Sequence, residues 1–214
     1  MLTNVFQNKG LLRMYLYGAG GHARVIRDIV ELSGGIVEGF IDDNVDILEK
    51  DGLPVIHDVP YGCDLILAIG DSQTRYNLVR KLEPKRVHYC TAIHPSAVVS
   101  PYAKVGEGTV IMPGAIVNAF AEIGSHCVVN TGASVGHEVV VGDFASVCPH
   151  STVCGQCIIG EGTNVCPGAV VLQCRKIGRW TVIGAGSLVR HDVGDGVVVV
   201  GLDCHEIRKN SIPD

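Results

Sequence analysis

The sequence predicts an α/β domain followed by a parallel β-helix. Seventeen positions, every sixth residue from Ile93 to Val189, hold only Ile or Val. The fourth residue after each is mostly small, as in Ala97, Ala103, Thr109, Ala115, Ala121, Cys127, Ala133 and Ala145. Before them, strand-like and helix-like stretches alternate behind a glycine-rich turn. No heptad, helix stripe or ordinary strand alternation keeps a period of six for so long. Such a period means one short flat side per repeat, with one branched residue pointing inward. Three sides make a coil of about eighteen residues, and stacked coils make a prism whose tight corners admit only small side chains.

The bulk numbers agree. Of 214 residues, 47% are hydrophobic but only 5% aromatic, which suits a solenoid core of Val, Ile and Ala. The net charge of −5, without a basic run or aromatic platform, argues against a nucleic-acid groove. No run approaches about eighteen uninterrupted apolar residues, so no membrane span is indicated. The first residues lack the apolar core of a signal peptide, and a cytoplasmic protein is expected. The expected divisions are an N-terminal extension over 1–13, an α/β domain over 14–91, the β-helix over 92–200 and a tail over 201–214.

Nine scattered cysteines fit reduced thiols better than a disulfide framework. Cys154-Gly155-Gln156-Cys157 reads as a metal or redox pair until the repeat is imposed. Cys157 then occupies an inward small-residue position, while Cys154 points outward. Cys148 and Cys166 lie eighteen apart and should stack in neighbouring coils.

In the first domain, Met14 to Tyr17 is a short apolar strand. It runs into Gly18-Ala19-Gly20-Gly21-His22-Ala23. Val25, Ile26, Ile29 and Val30 then mark a helix over Arg24 to Ser33, ended by Gly34-Gly35. Val37 to Ile41 is a second strand, stopped by Asp42-Asp43. Leu65 to Ile69 is a third, closed by Gly70-Asp71. A second helix over Ser72 to Glu83 carries Tyr76, Leu78, Val79 and Leu82 on its apolar side. Val87 to Cys90 is a fourth strand leading into the repeat. This alternation implies a parallel sheet with a crevice at the carboxyl ends of its strands.

Gly18, Gly20 and Gly21, with Ala23 in the third slot, let backbone approach a phosphate at a helix start. Asp42 and Asp43 can accept hydrogen bonds from a ribose or base. A nicotinamide dinucleotide is one reading, and a bare strand–helix turn is another. About eighty residues supply half of a dinucleotide fold, which favours a single nucleotide such as the head of a nucleotide sugar. Arg75 is a candidate phosphate partner or a solvated helix residue.

Chemistry on a β-helix must come from residues that depart from the repeat. Asn130-Thr131-Gly132-Ala133-Ser134-Val135-Gly136-His137-Glu138 is such a segment. His137, two past the inward Val135, stands on the outside near a corner, where an imidazole can take a proton near neutral pH. Glu138 can fix its tautomer. Gly155, eighteen on, should stack on His137 and offer an N–H to an oxyanion. His150 is expected at the surface or in a groove, and His126 facing solvent or another subunit.

These segments together resemble a family of bacterial sugar acyltransferases, over nearly the whole chain. That family includes sialic acid O-acetyltransferases and UDP-4-amino-sugar N-acetyltransferases of bacillosamine synthesis. The matching pieces are Tyr17 through Ala23, Phe40-Ile41-Asp42-Asp43, Ala68-Ile69-Gly70-Asp71, Asn130-Thr131-Gly132-Ala133 with His137-Glu138, and Ile183-Gly184-Ala185-Gly186-Ser187. The resemblance implies a left-handed β-helix and a homotrimer with active sites at subunit interfaces. It also implies acetyl-coenzyme A as co-substrate, without a metal. His137 would be the general base, supported by Glu138, with the Gly155 N–H at the thioester oxygen. A nucleotide amino-sugar would touch Gly18, Gly20, Gly21, His22, Asp42, Asp43 and Gly70. Coenzyme A would pass Ser146, Gly155, Pro167 and Ala185. Three departures stand out: Ser146 replaces a histidine usual nine residues after the base, His150 replaces a glycine, and Gly201-Leu202-Asp203-Cys204 replaces Gly-x-Pro-Ala.

The expected activity is N-acetylation of a nucleotide-linked 4-amino-4,6-dideoxy sugar for surface polysaccharide or glycan synthesis. One alternative is O-acetylation of a sugar of the sialic acid type. Another is a protein that only binds a nucleotide sugar. A zinc hydratase on the same scaffold needs three converging histidines, which the spacing of His126, His137 and His150 does not supply.

Overall fold

A computed structural model describes residues 12–202 and 205–213. Most of the 1–13 extension, and Asp203 and Cys204 of the tail motif, lie outside the described residues. The N-terminal sheet is built from β1 (Arg13–Tyr17), β2 (Ile36–Ile41), β3 (Glu49–Lys50), β4 (Leu53–Ile56), β5 (Asp64–Leu67) and β6 (His88–Tyr89). Their order is β3-β4-β2-β1-β5-β6. The pairs are parallel except β3–β4. The four expected strands are present, and the β3–β4 hairpin is additional. Its turn is Asp51-Gly52, both at positive φ (51° and 78°), a turn chemistry suited to a two-residue hairpin.

Helix α1 (Gly21–Leu32) begins three residues before the expected Arg24. Gly20 caps it in extended conformation without a side-chain bond, so the first-turn N–H groups have no side-chain cap. Helix α2 (Ser72–Leu82) starts at Asp71, whose carboxylate accepts from the Thr74 N–H at 2.8 Å.

From Ala92 onward the chain winds as a left-handed parallel β-helix with three faces. Rungs of the first face begin at Ala92–Ile93, those of the second at Val98–Val99 and those of the third at Lys104–Val105. Equivalent rungs pair in parallel at eighteen-residue offsets, for example Val128 with Ser146 and Ser134 with Thr152. The predicted Ile and Val positions from Ile111 to Val189 are buried in one core, with Ile93, Val99 and Val105 packed against it at the open end. Polar corner residues are satisfied inside: Thr109 Oγ1 donates to the Gly124 carbonyl at 2.7 Å, and Thr163 Oγ1 to that of Gly178 at 2.6 Å. Cys157 is fully buried, as its inward slot requires. The last rung, Val197–Val200, pairs antiparallel with His205–Lys209.

The N-terminal domain sits on the first face. Ala23, Ile26, Ile29 and Val30 of α1 share a core with the outward Ala92, Val110, Met112 and Val128. Fully burying a Val, Ile or Met side chain contributes roughly 1.5–3 kcal/mol, so this contact binds the two parts firmly.

Candidate active site

His137 and Glu138 occupy the corner between the second and third faces. Glu138 adopts the left-handed conformation that turns the chain (φ 58°). Nδ1 of His137 lies 3.0 Å from Oε2 of Glu138. With the proton on Nδ1 donated to the carboxylate, Nε2 keeps a free lone pair. The period puts Gln156 one coil above Glu138, and its Nε2 donates to the same carboxylate oxygen at 3.3 Å. Gln156 was not among the expected site residues, although it stands eighteen residues after Glu138.

Gly155 lies over the imidazole, in the predicted stacking position. A Cβ there would meet Nε2 of His137 at 2.5 Å and the ring carbons at 2.8–3.0 Å. The ladder bond at this corner is made by Gln156, whose N–H donates to the His137 carbonyl at 2.9 Å, so the Gly155 N–H is not spent on it. An exposed imidazole with an oriented tautomer and a backbone donor beside it can accept a proton and meet an oxyanion together.

Pro167 and Ala185 are exposed at the corner between the first and second faces. They and Gly155 therefore bound opposite edges of the second face. Ser146 differs. Its side chain points from the first face into the N-terminal domain, where it is only 4% exposed. Its Oγ accepts from Arg75 Nη2 at 3.0 Å and lies 3.3 Å from Ser72 Oγ. The coenzyme A contact expected at Ser146 is not borne out, because the docked domain covers the side chain.

Arg75 is likewise neither a phosphate ligand nor a solvated residue. It is 1% exposed. Its Nε donates to the His126 carbonyl at 2.9 Å, Nη1 to the Gly70 carbonyl at 2.7 Å, and Nη2 to the Phe144 carbonyl at 2.7 Å. The guanidinium clasps α2 to the prism, and its N–H groups are turned inward. Burial lowers its pKa to about 10.

His126 is also corrected. It is 4% exposed, stacked on Phe144 at 5.1 Å between ring centroids and edge-on to Tyr89 at 4.6 Å. Burial pushes it down to about 4. Tyr76 of α2 packs edge-on against Phe144 and Trp180 at 5.4 and 5.5 Å. His150 is exposed at its corner with its ring against Gly132.

In the N-terminal crevice, Gly18 is a tight-turn residue (φ 108°). Its N–H is bonded to the Ile41 carbonyl at 2.6 Å, and a Cβ would meet Ile69 at 2.8 Å. Gly20, Gly21 and Gly70 border open space. Asp42 accepts from the Ala19 N–H at 2.8 Å and the Asn44 N–H at 3.0 Å, so it shapes the turn. Asp43 is exposed and accepts from the Tyr17 hydroxyl at 2.9 Å. Nε2 of His22 is buried without a partner, and burial, then the nearby Arg75 charge, lowers His22 to about 4.

Comparison with solved structures decides the family. A histidine-to-asparagine variant of perosamine N-acetyltransferase from Caulobacter crescentus, in complex with CoA and GDP-perosamine, is 33% identical, with a TM-score of 0.84. The match covers 90% of this chain and 95% of that one. The chain belongs to the hexapeptide-repeat sugar acyltransferase family. Residues 13–82 match the PglD N-terminal domain family. Among other members of known structure, the acetyltransferase domain of PglB from Neisseria gonorrhoeae, in complex with acetyl coenzyme A, is 28% identical. Its TM-score is 0.86, over 92% of this chain and 100% of that one. UDP-N-acetylbacillosamine N-acetyltransferase of Bacillus subtilis is 36% identical over 109 residues, which are 44% of this chain. The matched region spans about half of that curated relative, 49% of its length.

Proposed function

We propose that the chain is an acetyl-coenzyme A-dependent N-acetyltransferase acting on a nucleotide-linked 4-amino-4,6-dideoxy sugar, with His137 as general base. The observation that carries the reading is the His137 corner. Nδ1 is tied to Glu138, and Nε2 faces the glycine shelf at Gly155. Family membership supplies the substrate classes: the relatives' names specify acetylation of amino sugars, and the solved complexes hold CoA, acetyl coenzyme A or GDP-perosamine.

In this mechanism Nε2 of His137 accepts a proton from the sugar amine as nitrogen bonds to the thioester carbonyl carbon. Glu138 supports the imidazolium, and the Gly155 N–H meets the carbonyl oxygen as it gains charge. The carbon–sulfur bond then breaks and the thiolate of coenzyme A leaves. Placing both substrates together supplies much of the acceleration. The second face, between Gly155 and the Pro167 and Ala185 corner, is the proposed path for coenzyme A.

The crevice of Gly20, Gly21, His22, Asp43 and Gly70 is the proposed nucleotide site. It lies on the first face, whereas His137 stands at the opposite vertex of the prism. A nucleotide sugar in one crevice therefore meets the His137 of another copy, which favours a homotrimer with interfacial sites. No helix among the described residues is long and apolar enough to cross a membrane. A cytoplasmic location, where thiols stay reduced, belongs to the same reading. Among the described residues, no group of three or more His, Cys, Asp and Glu side chains is arranged to hold a metal ion.

The test offers GDP- and UDP-linked 4-amino sugars and free sialic acid with acetyl-coenzyme A and follows thiol release. Release with an amino sugar is expected. Release only with sialic acid makes the chain an O-acetyltransferase, and binding without release makes it a binding protein.

A further inference from the structure

Cys148 and Cys166 follow the rungs Ser146–Val147 and Asn164–Val165, which pair in parallel register. Their own N–H groups continue the ladder, to the carbonyls of Val165 and Ile183, both at 2.9 Å. The two residues are therefore direct neighbours on successive coils. In-register strands lie about 4.8 Å apart, within the roughly 4.4–6.8 Å between α-carbons that a disulfide spans. The side chains leave the prism on the same side. Both are half-buried and free. We propose that Cys148 and Cys166 form an oxidation site that closes to a disulfide by exchange with a low-molecular-mass disulfide.

The thiolate of one cysteine of the pair bonds to one sulfur of the external disulfide and expels the other half as a thiolate. The second cysteine then loses its proton and attacks the sulfur of the first, expelling the second half. Two protein thiols and one external disulfide become one protein disulfide and two small thiols. The pair sits two residues beyond Ser146 and Asn164, which face Ser72 at the start of α2 at 3.3 and 3.1 Å. The crosslink therefore forms beside the joint between the domains, apart from the His137 corner.

The experiment treats the full native chain with oxidised glutathione and maps disulfides in non-reduced digests. A single Cys148–Cys166 link, reversed by dithiothreitol, is expected. Cys174→Ser, which removes an exposed thiol, should leave the link intact, and Cys148→Ser should abolish it. Glutathione attached to Cys174 with no Cys148–Cys166 link, or a link between other cysteines, overturns the proposal. The readout does not involve acyl transfer, so it stands apart from the proposed function.

Discussion

Nη2 of Arg75 donates to Oγ of Ser146 at 3.0 Å, joining the second helix of the N-terminal domain to the first face of the β-helix. The guanidinium also holds carbonyls from both parts, those of Gly70, His126 and Phe144. Such a charge in a buried site is tolerated because every direction it faces offers an acceptor. Its role is to fix how the crevice sits on the prism.

Arg75→Met should therefore destabilise the chain by on the order of 3 kcal/mol, because several buried acceptors lose their donor together. Ser146→Ala should cost about 1 kcal/mol, since the guanidinium keeps its carbonyl partners. Urea titration followed by Trp180 fluorescence checks both, since Trp180 packs on Tyr76 of α2. Arg75→Met with unchanged stability would show that the clasp is dispensable.

His137→Ala should lower turnover by about 10²–10⁴-fold, the usual contribution of base catalysis. Its side chain is 62% exposed, so the thermal midpoint should stay where it is. Glu138→Gln should lower turnover less, because it keeps an oxygen for the Nδ1 proton but loses the charge opposite the imidazolium. Steady-state rates with a GDP-linked amino sugar, beside melting curves, read both effects. A His137→Ala protein of near-normal turnover removes the histidine from the mechanism.

The inward residues were legible in the sequence because the prism repeats strictly. Each rung must place one branched side chain in the same cross-section, so Ile111 and Val189 announce the fold equally. The stacking at the His137 corner was legible for the same reason, since a period of eighteen puts Gly155 on the ring, whereas Gln156 beside Glu138 obeys the same period and went unread. Outward positions carry no such constraint. Ser146, Arg75 and His126 look like surface residues in the string because nothing local reveals that the N-terminal domain docks on the first face. A column of His126, Phe144 and Trp180 at one corner held a hint, as three large rings are unusual where small residues suffice. The hairpin at Asp51-Gly52 escaped because its strands are short and Pro54 interrupts the second.

Gly155→Ala should damage catalysis while leaving the fold intact. The new methyl group would need the space of the imidazole, 2.5 Å from Nε2. The exposed ring can swing away, so stability changes little, but Nε2 leaves its position. A displacement of that size can cost about 10²-fold in rate. Turnover and a crystal structure of the variant test this, and an unmoved ring with full activity refutes it.

Stability should fall as the solution is acidified from about pH 6.5, the ordinary histidine value, toward pH 4. His22 and His126 are both held near 4 in the folded chain, chiefly by burial; at His126 the Asp143 carboxylate partly offsets this, and the Arg75 charge lowers both. Unfolding releases them to their ordinary value, so between the two values the unfolded chain binds more protons. Their contribution is then complete above about pH 6.5 and is lost progressively below it. Each titrating histidine contributes a slope of at most about 1.4 kcal/mol per pH unit. Urea midpoints at intervals from pH 7.5 to 4.5 measure that slope. His126→Phe should flatten it, because a phenyl ring can keep the stacking against Phe144 and Tyr89 and has no proton to gain. An unaltered slope in that variant would mean that His126 is not one of the groups driving the acid sensitivity.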